Sequence, residues 1–250
     1  MVNHVLDEIY RSGKVFDHQG GSKDVFPVSL YPQDGKALYD LVKQTESRKT
    51  LEIGMAYGIS SLHILQALQE NGGGAHVAID PYQKKWYDNI GIANIERGGF
   101  QDMLQYFEEP SYLVLPRLLE ANERFNFIFI DGNHRFEFVL LDFLYADKLL
   151  NVDGYMMFHD TWMPSIRKFY SFIVKNRADC YSMDLSYTGG KNHLLKRLRV
   201  FFNTLKQSFG DFNAARFYSA FNFNNYIVLK KIHERDPEEF DDEWHFYGAF

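Results

Sequence analysis

The order of apolar and helical segments along this 250-residue chain predicts an α/β fold: a doubly wound, mostly parallel sheet, Rossmann-like, with helices on both faces and additions at both ends. Three observations predict it. Short β-rich runs alternate with longer runs of helical period, the short runs tend to end in glycine or carboxylate, and no internal repeat interrupts them.

The short runs are Thr50–Ile53, His76–Ile79, Met103–Phe107, Phe125–Ile130 and Tyr155–Phe158, with a late one at Asn225–Lys231. Between them, Ile59, Leu62, Leu65 and Leu68 share one helical face, as do Phe136, Val139, Leu140, Phe143 and Leu144. Both segments have the character of crossover helices. A helix is also expected over Asp34–Glu46, and another after Pro164, where Ile166, Phe169, Tyr170 and Ile173 recur at helical spacing. These elements divide the chain into a cap or lid at 1–33, a main domain at 34–232 with an insertion at about 188–224, and an acidic, aromatic tail at 233–250. Seven acidic residues lie between Glu234 and Glu243, followed by WHFYGAF, a segment suited to docking on its own subunit or a neighbour.

Composition narrows the function. Hydrophobic residues make up 46% of the chain, enough to bury a substantial core. The single cysteine, Cys180, has no internal disulfide partner, and neither a secretory signal nor an apolar run of about 18 residues is evident, so a cytoplasmic protein is expected, with no membrane partner. A net charge of −6 lacks the basic field that drives non-specific nucleic-acid binding, so no nucleic acid is expected either. Lys191, Lys196, Arg197 and Arg199 form a basic segment, but Leu194, Leu195, Leu198, Phe202 and Leu205 give it the period of a packed surface helix; binding of an anionic substrate group is a further reading. The 17% aromatic content suits a substrate cleft or a homo-oligomer interface.

Ligands of an open α/β sheet bind at the carboxyl ends of its strands. The first strand runs into Glu52-Ile53-Gly54-Met55-Ala56-Tyr57-Gly58, where glycines admit close backbone approach and Ser60 or Ser61 is placed to cap the next helix. A dinucleotide fingerprint needs glycines at the first, third and sixth positions; this chain has Gly54, Ala56 and Ile59. An NAD(P)-dependent oxidoreductase is thereby disfavoured. Asp80 ends the second strand, where a carboxylate accepts both hydroxyls of a ribose. Asp131 follows the fourth strand, and His159 and Asp160 follow the fifth. Asp131, His159 and Asp160 are therefore candidate ligands of a divalent metal such as Mg or Mn, which would orient a substrate hydroxyl and lower its pKa. His159 also suits a general base or a hydrogen bond within its loop, and its imidazole would shift preference toward a transition metal. His134, three residues after Asp131, is a second candidate base or a capping residue. The remaining histidines show no comparable constellation.

LEIGMAYGISSL, the strand ending in Asp80, IDGNHRFE and GYMMFHD together resemble the class I S-adenosylmethionine (SAM)-dependent methyltransferases. Within them the set is most similar to the small-molecule O-methyltransferases related to the catechol, caffeoyl-CoA and macrocin enzymes, over Asp34–Phe172. The resemblance implies that Glu52, Gly54, Tyr57, Gly58 and Ser60 line the methionine part of the cofactor, that Asp80 holds the ribose, and that Ser111 lies near the adenine. It implies methyl transfer to a hydroxyl of a sugar or other small metabolite. A cofactor-binding protein without catalysis is the third reading. Lid candidates are Phe16–Tyr31 and Thr188–Asn225.

Overall fold

The computed structural model describes residues 3–183 and 225–235. The basic segment, the insertion up to residue 224 and the tail beyond residue 235 lie outside the described residues.

Among the described residues, seven strands form the central sheet: β3 (Lys49–Ile53), β4 (Ala75–Ile79), β5 (Leu104–Phe107), β6 (Phe125–Ile130), β7 (Leu150–His159), β8 (Tyr181–Met183) and β9 (Tyr226–Lys231). Their order is β5-β4-β3-β6-β7-β9-β8. The five strands from β5 to β7 are parallel, and β9 runs antiparallel to both β7 and β8. The predicted doubly wound α/β architecture is what the chain adopts.

Strand alternation assigns the two faces. Leu51, Ile53, Val77, Ile79, Ile128 and Ile130 point to one layer, covered by α6 (Ser111–Glu120), α7 (Phe136–Leu149) and α8 (Pro164–Asn176). Phe127, Phe129, Met157 and Val228 point to the other, covered by α1 (His4–Ser12), α2 (Pro32–Gln44), α3 (Ile59–Glu70) and α5 (Ile90–Arg97). Burial on both faces is why FNFIFI reads as a nearly continuous apolar run rather than an alternating one. Each such side chain, fully buried, contributes about 1.5–3 kcal/mol.

Several elements depart from the expected pattern. Met103 closes a 3-10 turn, and its strand starts at Leu104. The buried face of α7 is rotated: Leu144 is exposed, while Asp142 is buried with Val139, Phe143, Ala146 and Leu149. Period alone cannot see a carboxylate pulled inward. Burial pushes the Asp142 pKa up to about 6, against a hydrogen bond from Ser111, and its Oδ1 has no partner.

The N-terminal cap contains α1 and an antiparallel hairpin of β1 (Lys14–Phe16) and β2 (Ser22–Asp24). The Asn3 side chain accepts from Val5 N–H at the start of α1, and Val5, Leu6 and Ile9 are its buried face. The cap is anchored by Arg97 to Glu8 at 2.6 Å. From the hairpin, Lys23 donates to the Trp86 carbonyl at 3.0 Å and pairs with Asp88 at 2.5 Å, so the predicted lid segment touches the short helix α4 (Gln83–Trp86) and the loop behind it. None of the described helices is long and apolar enough to cross a membrane.

Candidate active site

The strand order reverses at β3, whose successor β4 lies on one side and β6 on the other, and the carboxyl ends of these strands are bonded stepwise. Gly54 N–H donates to Ile79 O at 2.9 Å, Asp80 N–H to Phe107 O at 3.1 Å, and Asp131 N–H to Ile53 O at 2.9 Å. A cavity of about 640 Å3 opens on this edge. Its floor includes Gly54, Ala56, Asp80, Ser111, Asp131 and His134, and Tyr82, Trp86, Tyr87, Tyr112 and Phe138 form an aromatic wall. Tyr82 and Trp86 stack with centroids 3.7 Å apart.

Gly54 has no alternative here. Its φ is +94°, and a Cβ would sit 2.2 Å from the Asp131 carbonyl oxygen. The loop that follows is held from outside by Asp80: Oδ2 accepts from Met55 N–H (3.1 Å) and Ala56 N–H (2.7 Å), and Oδ1 accepts from Tyr82 N–H (2.8 Å). Burial raises the Asp80 pKa, and these backbone donors oppose the rise. The Gln83 side chain is a further donor to this carboxylate.

The other residues expected around the cofactor stand behind the cavity rather than in its wall. Tyr57 is buried and meets Tyr87 edge to face. Gly58 is the N-terminal cap of α3, and Ser60 is buried in its first turn. No serine caps this helix; the hydroxyl of Ser61 donates instead to Glu52. Glu52 is fully buried, accepts also from His76 Nε2 at 3.1 Å, and keeps Oε1 without a partner. His76 in turn bonds Thr50 at 2.9 Å, so it belongs to a buried polar network that sequence spacing did not reveal.

The ends of β6 and β7 are built from charge. Asp160 leaves β7 with a φ of 54°, an uncommon conformation for a side-chain-bearing residue, and its carboxylate accepts from Trp162 Nε1 and Asn225 Nδ2, each at 3.0 Å. His134 Nε2 lies 3.2 Å from Asp131 Oδ1 and 3.3 Å from Asp160 Oδ2. His159 is buried at the end of β7: Nδ1 is 3.5 Å from Asp131 and 3.4 Å from Asp160, and Nε2 is 3.6 Å from Asp34 and 3.2 Å from the Asn225 amide.

Burial works against charge on His159, but Asp131, Asp34 and Asp160 outweigh it and raise its pKa well above the usual range. Nε2 faces both the Asp34 carboxylate and the Asn225 amide, and that amide also donates to Asp160. For Asp131 burial favours the neutral acid, yet the charge of His159 and bonds from both histidines hold the carboxyl well below its ordinary pKa. His134 is shifted upward: burial opposes, and Asp131 and Asp160 prevail.

Asp131 and Asp160 thus converge as expected, but with His134 as their companion. The ligand atoms of Asp131, His134 and Asp160 all lie within 4.8 Å of one another and are partly exposed, a two-carboxylate and one-imidazole set whose chemistry fits a divalent cation. His159 is not one of this set: its Nδ1 faces Asp131 and Asp160, while Nε2 is turned toward Asp34 of α2 and Asn225, just ahead of β9. Asp34, Asn225 and Trp162 were not among the sequence candidates. Asp34 reads as an ordinary first-turn acid, and nothing in the spacing brings Asn225 to β7.

Residues 51–161 match the family model described as a methyltransferase domain, and the sheet and its helices have the fold of solved O-methyltransferases. Among characterised relatives it is 30% identical over 102 residues to caffeoyl-CoA O-methyltransferase 2 of Petunia hybrida, covering 40% of each chain. It is 29% identical over 106 residues to the catechol O-methyltransferase of Niastella koreensis, covering 42% of this chain and 46% of that one. The chain therefore spans less than half the length of these relatives. Among solved structures, the Bacillus cereus O-methyltransferase in complex with SAH aligns with TM-score 0.60 and 22% identity over 72% of this chain and 82% of that chain. The O-methyltransferase TomG from Streptomyces achromogenes, in complex with SAM, aligns with TM-score 0.61 and 15% identity over 92% and 90%.

Proposed function

We propose that this protein is a SAM-dependent O-methyltransferase that transfers a methyl group to a hydroxyl of a sugar or other small metabolite, with a divalent cation held by Asp131, His134 and Asp160. The observation that carries this reading is the single cavity that runs from Gly54 and Asp80 to Asp131 and His134. It leaves room for cofactor and acceptor side by side. Gly54 and Ala56 bring backbone with little or no side chain to that cavity, which suits close approach by the cofactor.

In the reaction the acceptor oxygen bonds to the methyl carbon as the carbon–sulfur bond breaks, and the electron pair stays on sulfur, giving S-adenosylhomocysteine. The hydroxyl proton leaves to water. A bound cation would supply Lewis acidity that lowers the pKa of the hydroxyl. The chain's own part is placement: the loop at Gly54 fixes the sulfonium side, Asp131 and Asp160 fix the acceptor side, and the aromatic wall excludes water.

Isothermal titration with SAM and with NAD tests the cofactor, and binding of NAD alone would overturn the reading. A panel of hydroxyl compounds assayed with and without chelator tests the rest. Full activity in chelator would remove the cation and leave His134 as the base; cofactor binding without transfer to any member of the panel would favour the non-catalytic reading.

A further inference from the structure

Asp34 is unusual for a carboxylate in the first turn of a helix: it is only 4% exposed. First-turn acids are ordinarily solvated and gain from the helix dipole. This one is drawn inward because the next residue is glycine: a Cβ on Gly35 would meet His63 Nε2 at 2.3 Å, so α2 lies flush on α3. The Asp34 carboxylate then reaches His159 Nε2 at 3.6 Å, its one ion-pair partner among the described residues. A buried carboxylate left unpaired is strongly destabilising, so the two groups are tied to each other.

The other side of the same ring faces Asp131 and Asp160, at 3.5 and 3.4 Å. Asp34 does not line the cavity, yet a single imidazole separates it from both carboxylates that do the work of the acceptor end. We propose that Asp34 is a positioning residue: by fixing the His159 ring it sets the orientation of Asp131 and Asp160, making the segment ahead of the first central strand part of the active assembly. This rests on the methyltransferase reading for its kinetic consequence, though the Asp34–His159 link stands apart from it. The nearest precedent in principle is the outer partner that orients a ligating side chain, whose loss lowers activity about 10–100-fold.

The test uses the full chain and three variants, Asp34→Asn, Asp34→Ala and Asp34→Glu. Asn keeps the volume and one acceptor oxygen, so it remains informative where Ala fails to fold. The His159 ring nitrogens are followed by 15N NMR, assigned with His159→Gln, and S-adenosylhomocysteine affinity is measured by calorimetry. Asp34→Asn is expected to move the His159 ring signals, to leave S-adenosylhomocysteine affinity within about twofold, and to lower kcat about tenfold or more with KM for SAM unchanged. Asp34→Glu is expected to restore part of the loss. Unmoved ring signals in Asp34→Asn overturn the proposal, as does an unchanged kcat. If the wild-type chain methylates nothing, the methyltransferase reading fails by itself, and the ring signals still decide whether Asp34 holds His159.

Discussion

The two ends of the cavity are built from different materials. At the end proposed for the cofactor, side chains serve backbone: Asp80 is committed to the amides of Met55, Ala56 and Tyr82, and Gly54 contributes only its lack of a side chain. At the reacting end, side chains serve one another, with Asp34, Asp131 and Asp160 arranged around His159 and His134. The first kind of site is rigid and tolerates no added atom. The second is held by a balance of charge and is sensitive to the loss of any one member.

That contrast is open to measurement. The largest effect is expected from Gly54→Ala, which forces a Cβ against the Asp131 carbonyl at a φ reserved for glycine: a loss on the order of 3 kcal/mol or more in stability, and no S-adenosylhomocysteine binding, read by thermal melts and calorimetry. Next, Asp131→Ala and Asp160→Ala should each lower turnover about a thousandfold while cofactor affinity changes by no more than severalfold; a parallel collapse of affinity would erase the distinction between the ends. Asp80→Asn replaces an acceptor by a donor facing loop amides and should weaken S-adenosylhomocysteine roughly tenfold to a hundredfold by titration.

A smaller effect is expected far from both. The Asp142 pKa is raised to about 6 by burial, so the fold favours its neutral form; the associated stability is present below about pH 4 and is lost as the pH rises through 6. Asp142→Asn should therefore be more stable than the wild type above pH 6 by about 1–3 kcal/mol, with the difference vanishing toward pH 4 in melts across that range. An advantage that does not change with pH would mean the carboxylate is not the cause. Smallest of all, Lys23→Ala removes a partly exposed pair and should cost under about 1 kcal/mol, with its effect confined to KM.

Sequence patterning was enough for six of the seven strands of the central sheet and for the residues that end them, because both follow from burial period and from where ligands meet a parallel sheet; β8 was missed, and β7 begins earlier than its run, at Leu150. Asp131, Asp160 and His134 were legible for that reason. What escaped depends on tertiary contact. The inward turn of Asp142, the Glu52–His76–Thr50 network and the contacts of His159 with Asp34 and Asn225 are settled by neighbours distant in sequence. Asp34 and Asn225 were invisible for the same reason. The hairpin β1–β2 was missed because three-residue strands carry too little pattern to register.

The contact between Gly54 and the Asp131 backbone carries a consequence for how such a chain changes over time. The loop after β3 and the backbone at Asp131 approach so closely at Gly54 that a single added carbon would collide, so neither can be remodelled without displacing the other. New acceptor preferences must therefore arise at the rim, among the aromatic wall and the hairpin tied to it by Lys23, while the partition itself stays fixed.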